Sequence, residues 1–184
     1  TTEVTLSGGS VDEGSDGVTM TVNVPAADAV DIEQLADRST SLELALSADA
    51  FFNQDGEGVD LLDYTDNQAV GYSSDNSAPT VSSVAYDADT DRLSFTFNEP
   101  VQYDNVNYTN ISLSDDEGTS EVTLSGGSVN ESDDGTSLTI ALGSADAIAL
   151  EQLANRATSL ECALVLGAFM NLDNTTIAAI NYGD

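Results

Sequence analysis

The chain has 184 residues, 40% of them apolar, and a formal charge of −30 from 33 acidic and 3 basic residues. That length allows one large domain or one domain plus a fragment. The charge argues against nucleic-acid and anionic-membrane binding, which rest on Lys and Arg, and no run approaches the roughly 20 apolar residues of a membrane helix.

The basic residues are Arg38, Arg92 and Arg156; histidine and lysine do not occur. The commonest general base and the Schiff-base amine are therefore missing. Paired carboxylates could serve glycoside hydrolysis, but sugar clefts usually carry aromatic platforms and there is no Trp. The expectation is a non-enzyme. Self-repulsion at this charge opposes the compact state. Salt or bound cations must screen it, since the Debye length falls from about 10 Å at 0.1 M to about 3 Å at 1 M. Both point to a saline or calcium-rich, extracellular setting. The chain opens on TTEVTL, with neither the basic end nor the apolar stretch of a signal peptide; export would use a leader that is removed or lies upstream.

In chain order, the first element is EVTLSGGSV at residues 3–11, and it returns unchanged at 121–129. The match extends further. A shift of 118 lays residues 1–66 on 119–184 without a gap, with roughly half the positions identical. Residues 67–118 occur once. This divides the chain into a partial repeat (1–66), a polar linker (67–78) ending before Pro79, and a complete repeat (79–184). The partial repeat lacks its first two strands, the 52 residues that would precede Thr1.

Within the complete repeat, TVSSVAY (80–86) and RLSFTF (92–97) alternate as strands joined by the turn DADTD, with Leu93, Phe95 and Phe97 on one face. ISLS (111–114) is a short strand, DDEG a turn, EVTL a strand, and SGG a break. After a D-G turn, SLTIAL (137–142) places Leu138, Ile140 and Leu142 on one face. The period then becomes helical in SADAIALEQLANR, through Ala147, Leu150 and Leu153, with Ser144 as N-cap and Arg156 in the last turn. SLECALVL and IAAINY close the unit as strands. Leu160, Cys162, Leu164 and Leu166 share a face, and Cys162 stands where the first copy has Leu44, as a small buried hydrophobe. The fold class is mostly β, with one short crossover helix per repeat. Deprived of its hairpin, residues 1–66 would expose an edge and an apolar face. That face would be covered by upstream sequence of a longer array or by strands from another copy, or the segment would close up alone.

SAPTVSSVAY (77–86) and LSFTFNEPV (93–101) resemble the opening of bacterial Ig-like repeats. These recur in very large surface proteins such as adhesin stalks, S-layer-type proteins and giant marine repeat proteins. The D-G turn before SLTIAL and the GAFMNLDN region (167–174) share in the resemblance. It implies an Ig-like β-sandwich acting as an extracellular spacer or scaffold. Where the family often has Asp followed by Gly-Asn, copy one reads NQDGEG and copy two NLDNTT, without the glycine, so a shared role for that loop is in question.

Calcium takes six to eight oxygen ligands. Asp87, Asp89 and Asp91 form D-x-D-x-D in the hairpin turn, either a cation loop or a solvated acidic turn; the EF-hand pattern is not met, because Asn98 stands at its twelfth position. Asp66, Asp75 and Glu99, with Asn76, form a second candidate at the junction of repeats, the alternative being a flexible polar linker. Asp55, Glu57 and Asp60 form a third. N-x-[ST] triplets at Asn107, Asn110, Asn130 and Asn174 are glycosylation acceptors if the source glycosylates its surface proteins. The expected function is a structural repeat module of a surface layer, adhesin stalk or filament, partnered by copies of itself or adjacent repeats. The alternative is an adhesin-type module that binds carbohydrate or a cell surface through Tyr103 and Tyr108.

Overall fold

A computed structural model describes residues 3–12, 17–116 and 118–183. The Asp of the first copy's D-G turn, Glu117 of the DDEG turn and the terminal Asp184 lie outside the described residues. The chain forms two compact units, Thr1–Ser74 and Asp75–Asp184.

In the first unit, β1 (Ser10–Val11) pairs antiparallel with β2 (Val22–Asn23), followed by α1 (Ala26–Glu33) and the single turn α2 (Arg38–Ser41). Residues 42–46 run extended against the unit's last residues: the Leu46 N–H donates to Leu62 O and Leu44 N–H to Gln68 O, while Val70 N–H donates to Leu42 O. The segment read as a linker thus divides. Residues 68–72 dock on the first unit, where Arg38 Nε also donates to the Tyr72 hydroxyl at 3.0 Å. Asp75 and Ser77 tie into the second unit through Asp173, Thr175 and Asn171.

The second unit is built from β3 (Val81–Asp87), β4 (Arg92–Val101), β5 (Ile111–Ser114), β6 (Glu121–Thr123), β7 (Gly127–Val129), β8 (Gly135–Leu142), α3 (Ser144–Glu151), α4 (Arg156–Ser159) and β9 (Glu161–Leu164). Its two antiparallel sheets have strand orders β3-β4-β8-β7 and β6-β5-β9. Alternation in β4 and β8 sends Leu93, Phe95, Phe97, Leu138 and Ile140 inward, where they meet Ile111, Leu113 and Leu164 of the other sheet in one core. Phe169 packs edge-on against Phe95 and Phe97, with ring centroids 4.9 and 5.0 Å away. Strands β5 and β6 lie on opposite sides of the once-only segment's end, and β5 is buried at all four positions.

Five expectations are corrected. The segment unique to the second unit holds three strands, β3, β4 and β5, so the first copy lacks the counterparts of three rather than two. Gly143, not Ser144, is the N-cap of α3, and Ser144 is its first helical residue. Arg156 opens the separate turn α4 rather than closing α3; its guanidinium donates to Leu153 O at 3.0 Å, so it still serves a helix-end carbonyl. IAAINY forms no strand: Ile180 makes an isolated bridge with Leu164, and Ile177 bonds to Gly167 and Phe169. Strand β9 ends at Leu164, which leaves Leu166 exposed rather than on the apolar face.

An open slot in the repeated half

Each copy is braced by the same two polar locks. The Ser125 N–H and hydroxyl both donate to the Asp146 carboxylate, at 2.8 and 3.0 Å, fastening the SGG break to the first turn of α3. Ser7 and Asp28 repeat this at 2.7 and 2.9 Å. Both aspartates are buried, and a buried carboxylate needs such donors. The second glycine of the motif is forced by proximity in both copies. A Cβ on Gly127 would lie 2.8 Å from the Ile140 side chain and 2.9 Å from the Ala141 carbonyl, and one on Gly9 2.8 Å from the Asn23 carbonyl. These close approaches, with the Ser–Asp lock, account for the Ser and the second Gly of EVTLSGGSV in both copies.

The second lock is an asparagine in the loop after the last long strand. Asn171 Oδ1 accepts from the Asp173 and Thr175 N–H groups at 3.0 and 2.8 Å. Asn53 Oδ1 accepts from Asp55 and Glu57 N–H at 3.0 and 2.8 Å. The left-handed position is filled by Gly56 (φ 80°) in one loop and Asn174 (φ 66°) in the other. Asn tolerates that region better than other side chains, so NLDNTT makes the same turn as NQDGEG without its glycine. Asp28, Asp146, Asn53 and Asn171 were not singled out from the sequence. Identity at equal offsets in both copies was the available signal.

The carboxylates singled out from the sequence distribute as follows. Asp87 accepts from the Asp89 N–H at 2.9 Å and the Thr90 hydroxyl at 2.8 Å. The Thr90 hydroxyl, then the Asp89 N–H, hold its carboxyl below the usual range. Asp91 sits at φ 52° and accepts from the Tyr86 hydroxyl at 3.4 Å. Within the second unit Asp75 meets Glu99, and this contact is the largest cause holding the Asp75 carboxyl below its ordinary value, with the Ser77 N–H next. Asp173, which the sequence reading left out, is beside them and accepts from the Asp75 N–H at 2.7 Å. Asp66 belongs to the first unit, where it accepts from the Asp63 N–H at 3.0 Å. Glu57 accepts from the Asn53 amide at 3.1 Å in a loop that also carries Asp55, and Asp60 is exposed nearby in sequence. Among the described residues, no three carboxylates or thiols gather as a metal group.

Of the sequon residues, Asn107, Asn130 and Asn174 are exposed, whereas the Asn110 amide donates to Leu166 O at 3.0 Å. Tyr103 and Tyr108 are half-buried and pack against the core. Burial pushes the Cys162 thiol up to about 12.

The two copies differ most where the once-only segment acts. In the second unit β5 lies between β6 and β9, pairing Leu113 with both Val122 and Cys162. The first unit has the flanks, residues 3–6 and 42–46, and none of its described residues forms a strand between them. A cavity of about 450 Å³ lies there, lined by Val4, Leu6, Ile32, Leu35, Leu44 and Tyr64 among others. Positions that are sealed in the second unit are open in the first: Leu124 is 1% exposed and Leu6 46%, Leu138 1% and Met20 50%, Phe169 0% and Phe51 38%. The same residues EVT form β6 at 121–123 and no strand at 3–5; among the described residues β6 pairs with β5, which has no counterpart in the first unit.

These features define an antiparallel, mostly-β protein with few helices, built on an internal repeat of which one copy is covered and the other open. No family model, curated protein or solved structure matches the chain.

Proposed function

We propose that the chain is a non-catalytic structural repeat module of an extracellular surface array or filament, in which each repeat is an Ig-like sandwich set head to tail with its neighbours. The observation that carries this reading is the duplicated half-unit, with one apolar face covered by residues 75–118 and the equivalent face uncovered. Soluble monomers rarely expose large contiguous apolar patches, and patches of this kind mark interaction sites. Repeat proteins bury such faces against the adjoining unit. The charge of −30 fits a module that works where salt or divalent cations screen it, and calcium is the proposed cation. Its carboxylates would come from the Asp87–Asp91 turn and from Asp75 and Glu99. The absence of His and Lys, together with the inward Tyr103 and Tyr108, gives neither catalysis nor loop-borne ligand binding an evident foothold.

Immunogold labelling of intact cells tests the proposal. Surface label with a regular spacing in electron micrographs is expected. Label confined to the cytoplasm would overturn it.

A further inference from the structure

The cavity of the first unit has the size of a small-ligand site, but its walls are those of a strand slot. One wall is residues 3–6, whose counterparts 121–124 include β6. The other is residues 42–46, whose counterparts 160–164 include β9. In the second unit those two strands meet only through β5. On the 42–46 side, the backbone bonds described run toward residues 62–70, through Leu42, Leu44 and Leu46. The backbone N–H and C=O groups of the alternate residues, Glu43 and Ala45, are therefore directed away from 62–70, toward the side on which their counterparts Glu161 and Ala163 pair with Ser114 and Ser112.

We infer that the slot takes one additional segment patterned like residues 75–118, whose last strand lies antiparallel between residues 3–5 and 43–46. This rests on the array reading above and names the partner within it. The chemistry required of the occupant can be read from β5. Ile111 and Leu113 point into the core, and Asp115, two residues on, accepts from the Asn155 N–H at the start of α4. The occupant carries the same alternation of apolar, apolar and acidic residues. Its two apolar side chains cover Leu6 and Leu44, and its carboxylate meets the Asp37 N–H. The preceding hairpin lies along β2, as β4 lies along β8, and covers Met20 and Val22.

The covering segment of the second unit already completes both of its sheets, with β4 beside β8 and β5 between β6 and β9. Lending it to a second copy would open one core to close another. The occupant is therefore an extra segment of the same pattern from a neighbouring repeat, not the 75–118 segment of a second copy.

The test adds residues 67–118 ahead of Thr1 in the full chain and reads amide hydrogen exchange by mass spectrometry. Residues 3–6 and 42–46 are expected to slow by about 100-fold or more, as amides do on passing from an open edge to a cooperative sheet. Replacing the Ile and Leu of the added strand by Asp should abolish that gain while the slow exchange of residues 111–114 persists. The inference is overturned if the added segment gives no slowing, or if slowing survives the Asp substitutions. It is also overturned if the unmodified chain gains the same protection as its concentration rises, which would identify a second copy as the occupant. Failure here with regular surface label intact would spare the array reading; protection without surface label would do the reverse.

Discussion

At the residue scale, the locks that repeat in both copies are the decisive polar features. Asp146→Ala removes a buried carboxylate that accepts from both the Ser125 N–H and its hydroxyl, and a hydrogen bond to a charged group contributes about 1.5–3 kcal/mol. Denaturant melts should show that loss for the second unit. Gly127→Ala should cost a similar amount, about 1–3 kcal/mol, because the new methyl group has a backbone carbonyl and a core side chain within 3 Å and neither can retreat freely. Gly126→Ala meets nothing within 4 Å and serves as the control. The hydroxyl of Tyr182 is enclosed near Glu121 and Ser112, and burial, followed by the Glu121 carboxylate, raises its pKa. A phenol whose folded pKa is raised is fully stabilising below its unfolded value near 10. The contribution disappears as pH rises beyond that value, because only the unfolded chain releases the proton. Stability followed from pH 8 to 11.5 should fall above about pH 10 in the native protein, and less so in Tyr182→Phe.

At the element scale, strands β4 and β8 were legible from alternation, because each has one buried face with a period of two; their pairing with each other was not. The register of the β1–β2 pair also follows the repeat: Val11 faces Val22 as Val129 faces Ile140. What could not be read locally was whether EVTL or SLELAL would form strands, since that is decided by the presence of β5 and not by their own side chains. Helix capping failed for a similar reason. Ser144 has the composition of an N-cap, but Asp146 already binds Ser125 and the chain enters α3 from Gly143 in extended conformation. The acidic turn at Asp87–Asp91 was legible as a turn; that the Asp87 carboxylate closes it by accepting from the Asp89 N–H and the Thr90 hydroxyl was not. Replacing Leu113 by Asp should therefore do more than perturb β5. With its central strand spoiled, the β6-β5-β9 sheet should come to resemble residues 3–6 and 42–46, and fast amide exchange at 121–123 and 161–164 is the expected readout.

At the scale of the whole molecule, charge sets the conditions under which either unit is stable. Raising NaCl from 0.1 to 1 M shortens the screening length about threefold, and the melting temperature should rise by several degrees. If calcium binds the folded chain, EDTA at fixed ionic strength should lower the melting temperature further, by mass action. No change on chelation at constant ionic strength would leave simple screening as the whole effect. The single cysteine offers a way to watch these changes in one copy only. Cys162 on β9 pairs with Leu113 of β5, and the first copy has leucine at its position. With its thiol pushed up to about 12, it should react with a disulfide reagent at pH 8 far more slowly than an ordinary thiol of pKa about 8.5. The label that does accumulate then acts as a stopwatch for excursions of the middle strand, counted in a half that is otherwise almost a twin of its neighbour.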